Sequence, residues 1–173
     1  MSDAVETAWE GKWVSVKKQG KWEYVSRSRG IRAVVIIAID DDGQVLLIDQ
    51  YRVPLGRRCL ELPAGLVGDD HAEDTPESAA VRELEEETGY TAERVENLGE
   101  YHSSPGLVTE GFTLTRAYGL SRIGQGGGIV GEEDITVHRV PVAEVPAFVA
   151  AKRAEGMAVD VKLLLLLART MLA

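Results

Sequence analysis

The segment Arg82-Glu83-Leu84-Glu85-Glu86-Glu87-Thr88-Gly89-Tyr90 constrains this chain more than any other. Four of the five positions from 83 to 87 are glutamate. The flanks read as a helix: Thr75 can cap its start, Pro76 suits the first helical position, and Gly89 can end it in a left-handed conformation. At about 3.6 residues per turn, Glu83, Glu86 and Glu87 then stand at i, i+3 and i+4 on one face. Like charges at that spacing destabilise a helix by about 0.2–0.5 kcal/mol per pair. A hard divalent cation, which prefers oxygen ligands, would turn that repulsion into a binding site. Val81 and Leu84 point away from the acidic face and are expected to pack on a sheet. Glu85, on the opposite side from Glu83, is expected to be solvated.

The bulk composition narrows the setting. A chain of 173 residues with 45% hydrophobic content fits one domain with an ordinary core. The net charge of −9 is largely local, because nine acidic side chains between Asp69 and Glu87 face only Arg82. That balance argues against a nucleic-acid groove and against a basic membrane surface. A single cysteine, Cys59, excludes an intrachain disulfide framework and fits a reducing compartment, so a cytoplasmic protein is expected. The polar stretch Met1–Trp13 does not read as a signal peptide. The apolar run Leu163–Ala168, bracketed by Lys162 and Arg169, falls far short of the roughly 20 residues of a membrane span and is expected to be a buried C-terminal helix.

Trp13–Val16 and Trp22–Ser26 read as short strands around a Lys-Gln-Gly-Lys turn. Ile31–Ile39, rich in β-branched residues, predicts a buried strand. Asp40-Asp41-Asp42-Gly43 marks a tight turn, and Val45–Gln50 returns as the next strand. Leu60–Pro63 is a short extended piece. Val95–Tyr101, Gly111–Tyr118 and Ile135–Val140 complete the strands, and Gly124–Gly131 predicts a loop without regular structure. Val142–Glu155 and Val159–Leu172 predict two helices. Strands and helices in this order suggest an α/β/α layered domain, with the first 28 or so residues as a separate β appendage.

The residues also match a family. Arg82-Glu83-Leu84-x-Glu86-Glu87-x-Gly89-Tyr90 resembles the second half of the Nudix box of the Nudix hydrolases, with Tyr90 in its last hydrophobic slot. In the first half, Asp74 stands where the family has Glu. Gly65 lies three residues too far upstream, although Gly68 restores the count, and Leu62-Pro63-Ala64-Gly65-Leu66 resembles the family's loop entry. The resemblance implies an α+β Nudix fold, an α/β/α sandwich with a mixed sheet, over residues 29–173. It implies that Glu83 and Glu87 bind Mg²⁺ directly (Mn²⁺ is the alternative), with Glu86 bound directly or through water, and with the carbonyl of Ala64 as a further ligand. Arg82 would hold the glutamates by ion pairing. The chemistry agrees, since clustered divalent ions neutralise a diphosphate and activate water. The alternative is a solvated acidic helix face.

The resemblance extends to substrate. Pro105, fifteen residues beyond Tyr90, and Glu110, five further on, are similar to positions of the ADP-ribose and nucleotide-sugar pyrophosphatase branch. Glu10-Gly11-Lys12-Trp13-Val14 and Trp22-Glu23-Tyr24-Val25 resemble the adenine-binding segments of dimeric ADP-sugar pyrophosphatases. There two tryptophans sandwich the base, one from each subunit. This implies a homodimer in which residues 1–28 serve dimerisation and base binding; packing of Trp13 on Trp22 across the hairpin is the alternative. Arg27 and Arg52 match phosphate-contacting positions, and a guanidinium forks two donors onto a diphosphate. A late loop in the family delivers a glutamate that orients or deprotonates the attacking water. Glu132 and Glu133 are the candidates, Glu133 favoured, and a glycine-rich loop suits a residue that swings into place. A solvated acidic turn is the alternative. The stretch Gly126-Gly127-Gly128 to Glu133-Asp134-Ile135 also resembles GDP-mannose pyrophosphatases. His71, His102 and His138 lack zinc spacing and are expected at loops or the surface. Cys59 lacks an activating neighbour and is not expected to be a nucleophile. The expected activity is Mg²⁺-dependent hydrolysis of ADP-ribose or a related nucleoside diphosphate sugar. GDP-mannose hydrolysis is the nearer rival, and a non-catalytic nucleotide-sugar sensor the further one.

Overall fold

The computed structural model describes residues 3–28, 31–68, 73–129, 131 and 133–172. Three sheets form. Strands β1 (Glu6–Glu10), β2 (Val14–Gln19) and β3 (Trp22–Arg27) make an antiparallel N-terminal sheet in the order β1-β2-β3. Strands β4 (Arg32–Ala38), β7 (Ala64–Val67), β8 (Tyr90–His102) and β9 (Gly111–Arg122) make a mixed sheet in the order β7-β4-β9-β8, in which β4 and β9 run parallel. Strands β5 (Gln44–Arg52), β6 (Arg57–Glu61), β10 (Ile135–Pro141) and β11 (Ala158–Val159) make another in the order β10-β5-β6-β11. The helices are α1 (Pro76–Thr88), α2 (Val145–Ala154) and α3 (Leu164–Met171).

The central strands show why the layers form. In β4, Val34, Ile36 and Ala38 pack with Ala79, Ala80 and Leu84 of α1. Val35, between them, packs instead with Val145 and Val149 of α2 and Leu167 of α3. In β5, Leu46 joins the first cluster while Val45 and Leu47 join the second. Successive strand residues face opposite sides, so an unbroken β-branched run needs a helical layer on each face. The α/β/α sandwich follows.

Helix α1 is bounded as its sequence predicts. The Thr75 hydroxyl accepts the Ser78 N–H at 3.2 Å, and Ser78 Oγ accepts the Thr75 N–H at 2.9 Å, a reciprocal capping box. Gly89 adopts φ 73° and donates its N–H to the Glu85 carbonyl at 3.0 Å. Leu84 is fully buried, whereas Val81 is only half-buried, and Glu85 is half-buried rather than solvated. The Asp40–Gly43 turn forms, with Asp40 Oδ1 accepting the N–H groups of Asp42 and Gln44, each at 3.0 Å.

Other elements depart from expectation. Strand β1 lies in a stretch of mixed polarity that carries no strand signal. Strand β11 occupies the predicted start of the last helix, because Ala158 and Val159 pair in parallel with Cys59 and Leu60. The C-terminal helix is not buried throughout. Leu163 and Leu167, spaced i, i+4, enter the core, whereas Leu164 and Leu165 are exposed. A helix lying on the edge of a core buries one stripe only. The N-terminal sheet is tied to the segment before β9: the Val25 N–H bonds the Leu107 carbonyl and the Thr109 N–H bonds the Val25 carbonyl, both at 2.9 Å. Among the described residues no helix is long and apolar enough to cross a membrane.

Candidate active site

A cavity of about 480 Å³ opens where the mixed sheet, α1 and the glycine-rich loop converge. Helix α1 turns Glu83, Glu86 and Glu87 toward it, and β7 brings Ala64 and Gly65 alongside. The close approach of β7 depends on glycine. A Cβ at position 65 would lie 1.8 Å from the Glu83 Cδ, so any side chain there would occupy the space of that carboxylate.

The three box glutamates sit in different surroundings. Glu87 is buried, and its Oε2 accepts the Ala64 N–H at 2.9 Å. Burial pushes its carboxyl well above the usual range, and the charges of Glu83 and Glu133 push it further, against the Ala64 bond and Arg52. Burial also raises the Glu83 carboxyl; Arg82 opposes that rise, while Glu86 and Glu133 add to it. Glu86 is exposed, 3.6 Å from an Arg82 nitrogen. Among the described residues, no three carboxylate, imidazole or thiol groups are gathered at ligating distance. The donor set nevertheless suits a hard divalent cation. Six glutamates line one cavity, and the burial and mutual repulsion that lift Glu83 and Glu87 are what such a cation would offset.

Basic groups face the acidic ones. Arg52 reaches the cavity from β5 and pairs with buried Glu61 through Nε at 2.7 Å and Nη2 at 2.8 Å. Arg27, from β3, bonds Glu110, and both line the cavity. Lys162 joins them from the C-terminal segment, 2.7 Å from Asp160. Sequence reasoning did not single out Glu61, Phe112 or Lys162, although all three line the cavity. A usable signal existed for one: Glu61 is an acid set between Leu60 and Leu62, and burying a charge there demands a partner.

The remaining expected residues lie elsewhere. Trp13 and Trp22 are 47% and 58% exposed, and neither lines the cavity. The hairpin register pairs Trp22 with Gln19 beside the turn, whereas the Trp13 carbonyl accepts the Ser28 N–H at the other end, 2.9 Å away. The two indoles therefore do not pack on each other across the hairpin. Trp9 is a third exposed indole on the same sheet. Pro105 sits in the turn closed by the Leu107 N–H on the Ser104 carbonyl at 2.9 Å, and does not line the cavity. Glu133 does line it, with Oε2 accepting the Ile129 N–H at 3.1 Å. Glu132 and His71 lie outside the described residues.

The described residues of the glycine-rich loop have no regular structure, as expected, yet its first half is docked rather than loose. The Gly127 N–H bonds the Glu87 carbonyl at 2.8 Å and the Gly128 N–H bonds the Glu86 carbonyl at 3.0 Å. These bonds satisfy carbonyls that a helix end otherwise leaves open. His138 is not a surface histidine. It is half-buried in β10, with Nε2 2.5 Å from Asp49 Oδ2. Cys59 is buried and its thiol is pushed up to about 12, chiefly by burial, which leaves it inert at neutral pH.

The NUDIX domain family model matches residues 29–157. The chain belongs to the Nudix family. The methanol dehydrogenase activator of Bacillus methanolicus is 36% identical over 121 residues, covering 70% of this chain and 64% of that protein. The ADP-ribose pyrophosphatase of Mycobacterium tuberculosis is 39% identical over 112 residues, covering 65% of this chain and 53% of that protein. Further relatives carry the names ADP-sugar pyrophosphatase and GDP-mannose pyrophosphatase. The chain thus spans less than two thirds of the length of the first of these curated relatives. A crystal structure of an ADP compounds hydrolase superposes with a TM-score of 0.70 at 22% identity, over 87% of this chain and 82% of that one, and supports the Nudix fold. Within the Nudix box of this chain, Asp74 has a definite partner. Its Oδ2 accepts from Arg82 Nη2 at 3.3 Å, while Arg82 also donates to the Leu66 carbonyl at 3.0 Å and to Glu83 at 2.8 Å. Arg82 thereby links the loop entry to the helix that carries the glutamates.

Proposed function

We propose that this Nudix protein hydrolyses the diphosphate bond of ADP-ribose or a related nucleoside diphosphate sugar, giving AMP and a sugar phosphate. The supporting observation is a single cavity that sets the α1 carboxylates opposite Arg27 and Arg52. Glu83, Glu86 and Glu87, with the Ala64 carbonyl, would hold Mg²⁺ (or Mn²⁺), which when bound neutralises phosphate oxygens and lowers the pKa of a bound water. Arg82 orients Glu83 and Glu86 through its ion pairs. Arg27 and Arg52 present guanidinium donors to the diphosphate. Glu133 accepts the proton of the attacking water. As that water's oxygen bonds one phosphorus, the bridging P–O bond breaks and its electrons leave with the other phosphate.

Base recognition falls to the N-terminal segment, residues 1–28. One protomer's exposed Trp13 and Trp22 are apart in space, so a sandwich around adenine would take one indole from each of two copies in a homodimer. The reading extends to a cytoplasmic protein, consistent with a buried, reduced Cys59, and to no nucleic-acid or membrane partner. GDP-mannose is the second reading, favoured by the relatives of that name. A panel of nucleotide sugars with Mg²⁺ tests the choice. Release of AMP from ADP-ribose faster than of GMP from GDP-mannose is expected. The reverse order refutes the ADP-sugar preference, and binding without release under any divalent ion makes the protein a sensor.

A further inference from the structure

Strand β6 carries an arginine that never reaches the cavity yet is bonded on every side. Arg58 donates Nη1 to Asp134 Oδ2 at 2.7 Å. Its Nη2 donates to the carbonyl of Asp134 at 3.0 Å, to Thr136 Oγ1 at 3.1 Å and to the carbonyl of Asp49 at 2.8 Å. Its Nε bonds the Asp49 carboxylate, which His138 also holds. His138 in turn meets the Phe148 ring of α2 edge-on, with centroids 5.1 Å apart. Asp49 and Gln50 are neighbours in β5 and face opposite sides. Gln50 lines the cavity, so this cluster lies on the reverse of the sheet.

Stability does not account for the outer half of this arrangement. The Asp134 side chain is 85% exposed, and an ion pair to so exposed a group contributes little. What the bonds do is fix a place. Asp134 is one peptide, about 3.8 Å of Cα separation, from Glu133. On the other side, the segment is anchored by Gly127 and Gly128 on the carbonyls of Glu87 and Glu86, and the Ile135 N–H bonds the Gly127 carbonyl at 3.3 Å. Glu133 is therefore held between the end of the glutamate helix and a guanidinium rooted in buried Asp49.

We propose that Arg58 is a positioning residue, which clamps Asp134 to the core and thereby sets Glu133 at the cavity. The inference rests on the reading of Glu133 as the group that accepts the water's proton. Arg58 touches no reacting atom; its effect passes through the chain. A displacement near 1 Å at a catalytic group can reduce rate by about a hundredfold, so partial release of the clamp is expected to lower kcat by about tenfold or more.

Two variants make the test. Arg58→Lys keeps a cation beside buried Asp49 but cannot reach Asp134 and Thr136 together. Asp134→Ala removes the carboxylate from the clamp and leaves the Arg58–Asp49 pair and the bond to the backbone carbonyl of residue 134 in place. Each is combined with Glu133→Gln, and all are assayed as full-length protein with ADP-ribose and Mg²⁺, alongside amide hydrogen exchange at Glu133 and Ile135. The expected result is faster exchange at those amides, a kcat loss with KM nearly unchanged in each single variant, and no further loss when Glu133→Gln is already present. Unchanged exchange in both variants overturns the clamp. So does a loss that multiplies fully with that of Glu133→Gln. A Glu133→Gln protein of normal activity instead sinks the assignment of Glu133, and with it the catalytic purpose of the clamp, whatever the exchange rates show.

Discussion

Replacing Gly65 with alanine introduces a single methyl at the tightest point of the site. The new Cβ would stand 1.8 Å from Glu83 Cδ, 2.1 Å from its Oε1 and 2.3 Å from its Cγ. Real Cβ contacts essentially never fall below about 3.0 Å, so Glu83 must leave its rotamer or β7 must move away from α1. Overpacking of this kind costs about 1–3 kcal/mol. For a chain of this size each kcal/mol lowers Tm by about 2–4 °C, giving a fall of about 2–12 °C. The larger effect is expected on ion binding. A displaced or disoriented ligand typically lowers metal affinity by about 10–100-fold. Gly68→Ala is the matched control. Gly68 has φ 81°, and a Cβ added there would meet nothing within 4 Å, so that change adds backbone strain of about 1–2 kcal/mol and leaves Glu83 untouched. Thermal denaturation and calorimetric Mg²⁺ titration of both variants decide the matter. Both are expected to lose stability, but only Gly65→Ala to lose Mg²⁺. Equal Mg²⁺ affinity in Gly65→Ala and the parent protein would show that Glu83 does not bind metal from the position described.

Two further outcomes follow from the electrostatics. Glu87→Gln keeps an acceptor for the Ala64 N–H but removes a buried charge that its neighbours oppose, so the metal-free variant should melt higher than the parent at neutral pH while kcat falls by orders of magnitude; a lower Tm in chelator would contradict the first half, and a mild kcat effect the second. Glu83 and Glu87 have carboxyls raised by folding, so the native state holds their protons where the unfolded chain has lost them. Their contribution therefore lowers metal-free stability as pH rises above the unfolded value of about 4.5, and the Tm gain from Mg²⁺ should grow over the same rise; a gain that is flat with pH between about 5 and 8 would disprove the coupling.

The parts that could be read from sequence are those whose signals are local. Thr75, Pro76 and Gly89 bound α1 because caps act within one turn, and the doubly buried β4 shows as a continuous apolar run because each of its faces meets a helix. What resisted was settled between distant segments. Strand β11 exists because β6 offers an edge to Ala158 and Val159, and nothing in those two residues announces it. Lys162 reaches the cavity only because the chain returns there after α2. The triglycine stretch reads as freedom when seen alone. In the fold its first glycine marks contact, because the partner that excludes a side chain at Gly126, the end of α1, lies more than thirty residues earlier in the chain. His138 departs from its expected surface position for a similar reason, since its acidic partner Asp49 sits on another strand.

That contact bears on how such a protein can diverge. A Cβ at Gly126 would fall 2.3 Å from the carbonyl carbon of Thr88, so the backbone there has no room for any other residue without lifting off the helix. Lengthening the chain beyond Gly128 would leave the docked glycines in place, whereas lengthening it before Gly126 would lift the loop from the end of α1. Variation among descendants of this chain should accordingly gather in the exposed N-terminal strands, while the junction between helix and loop is inherited whole.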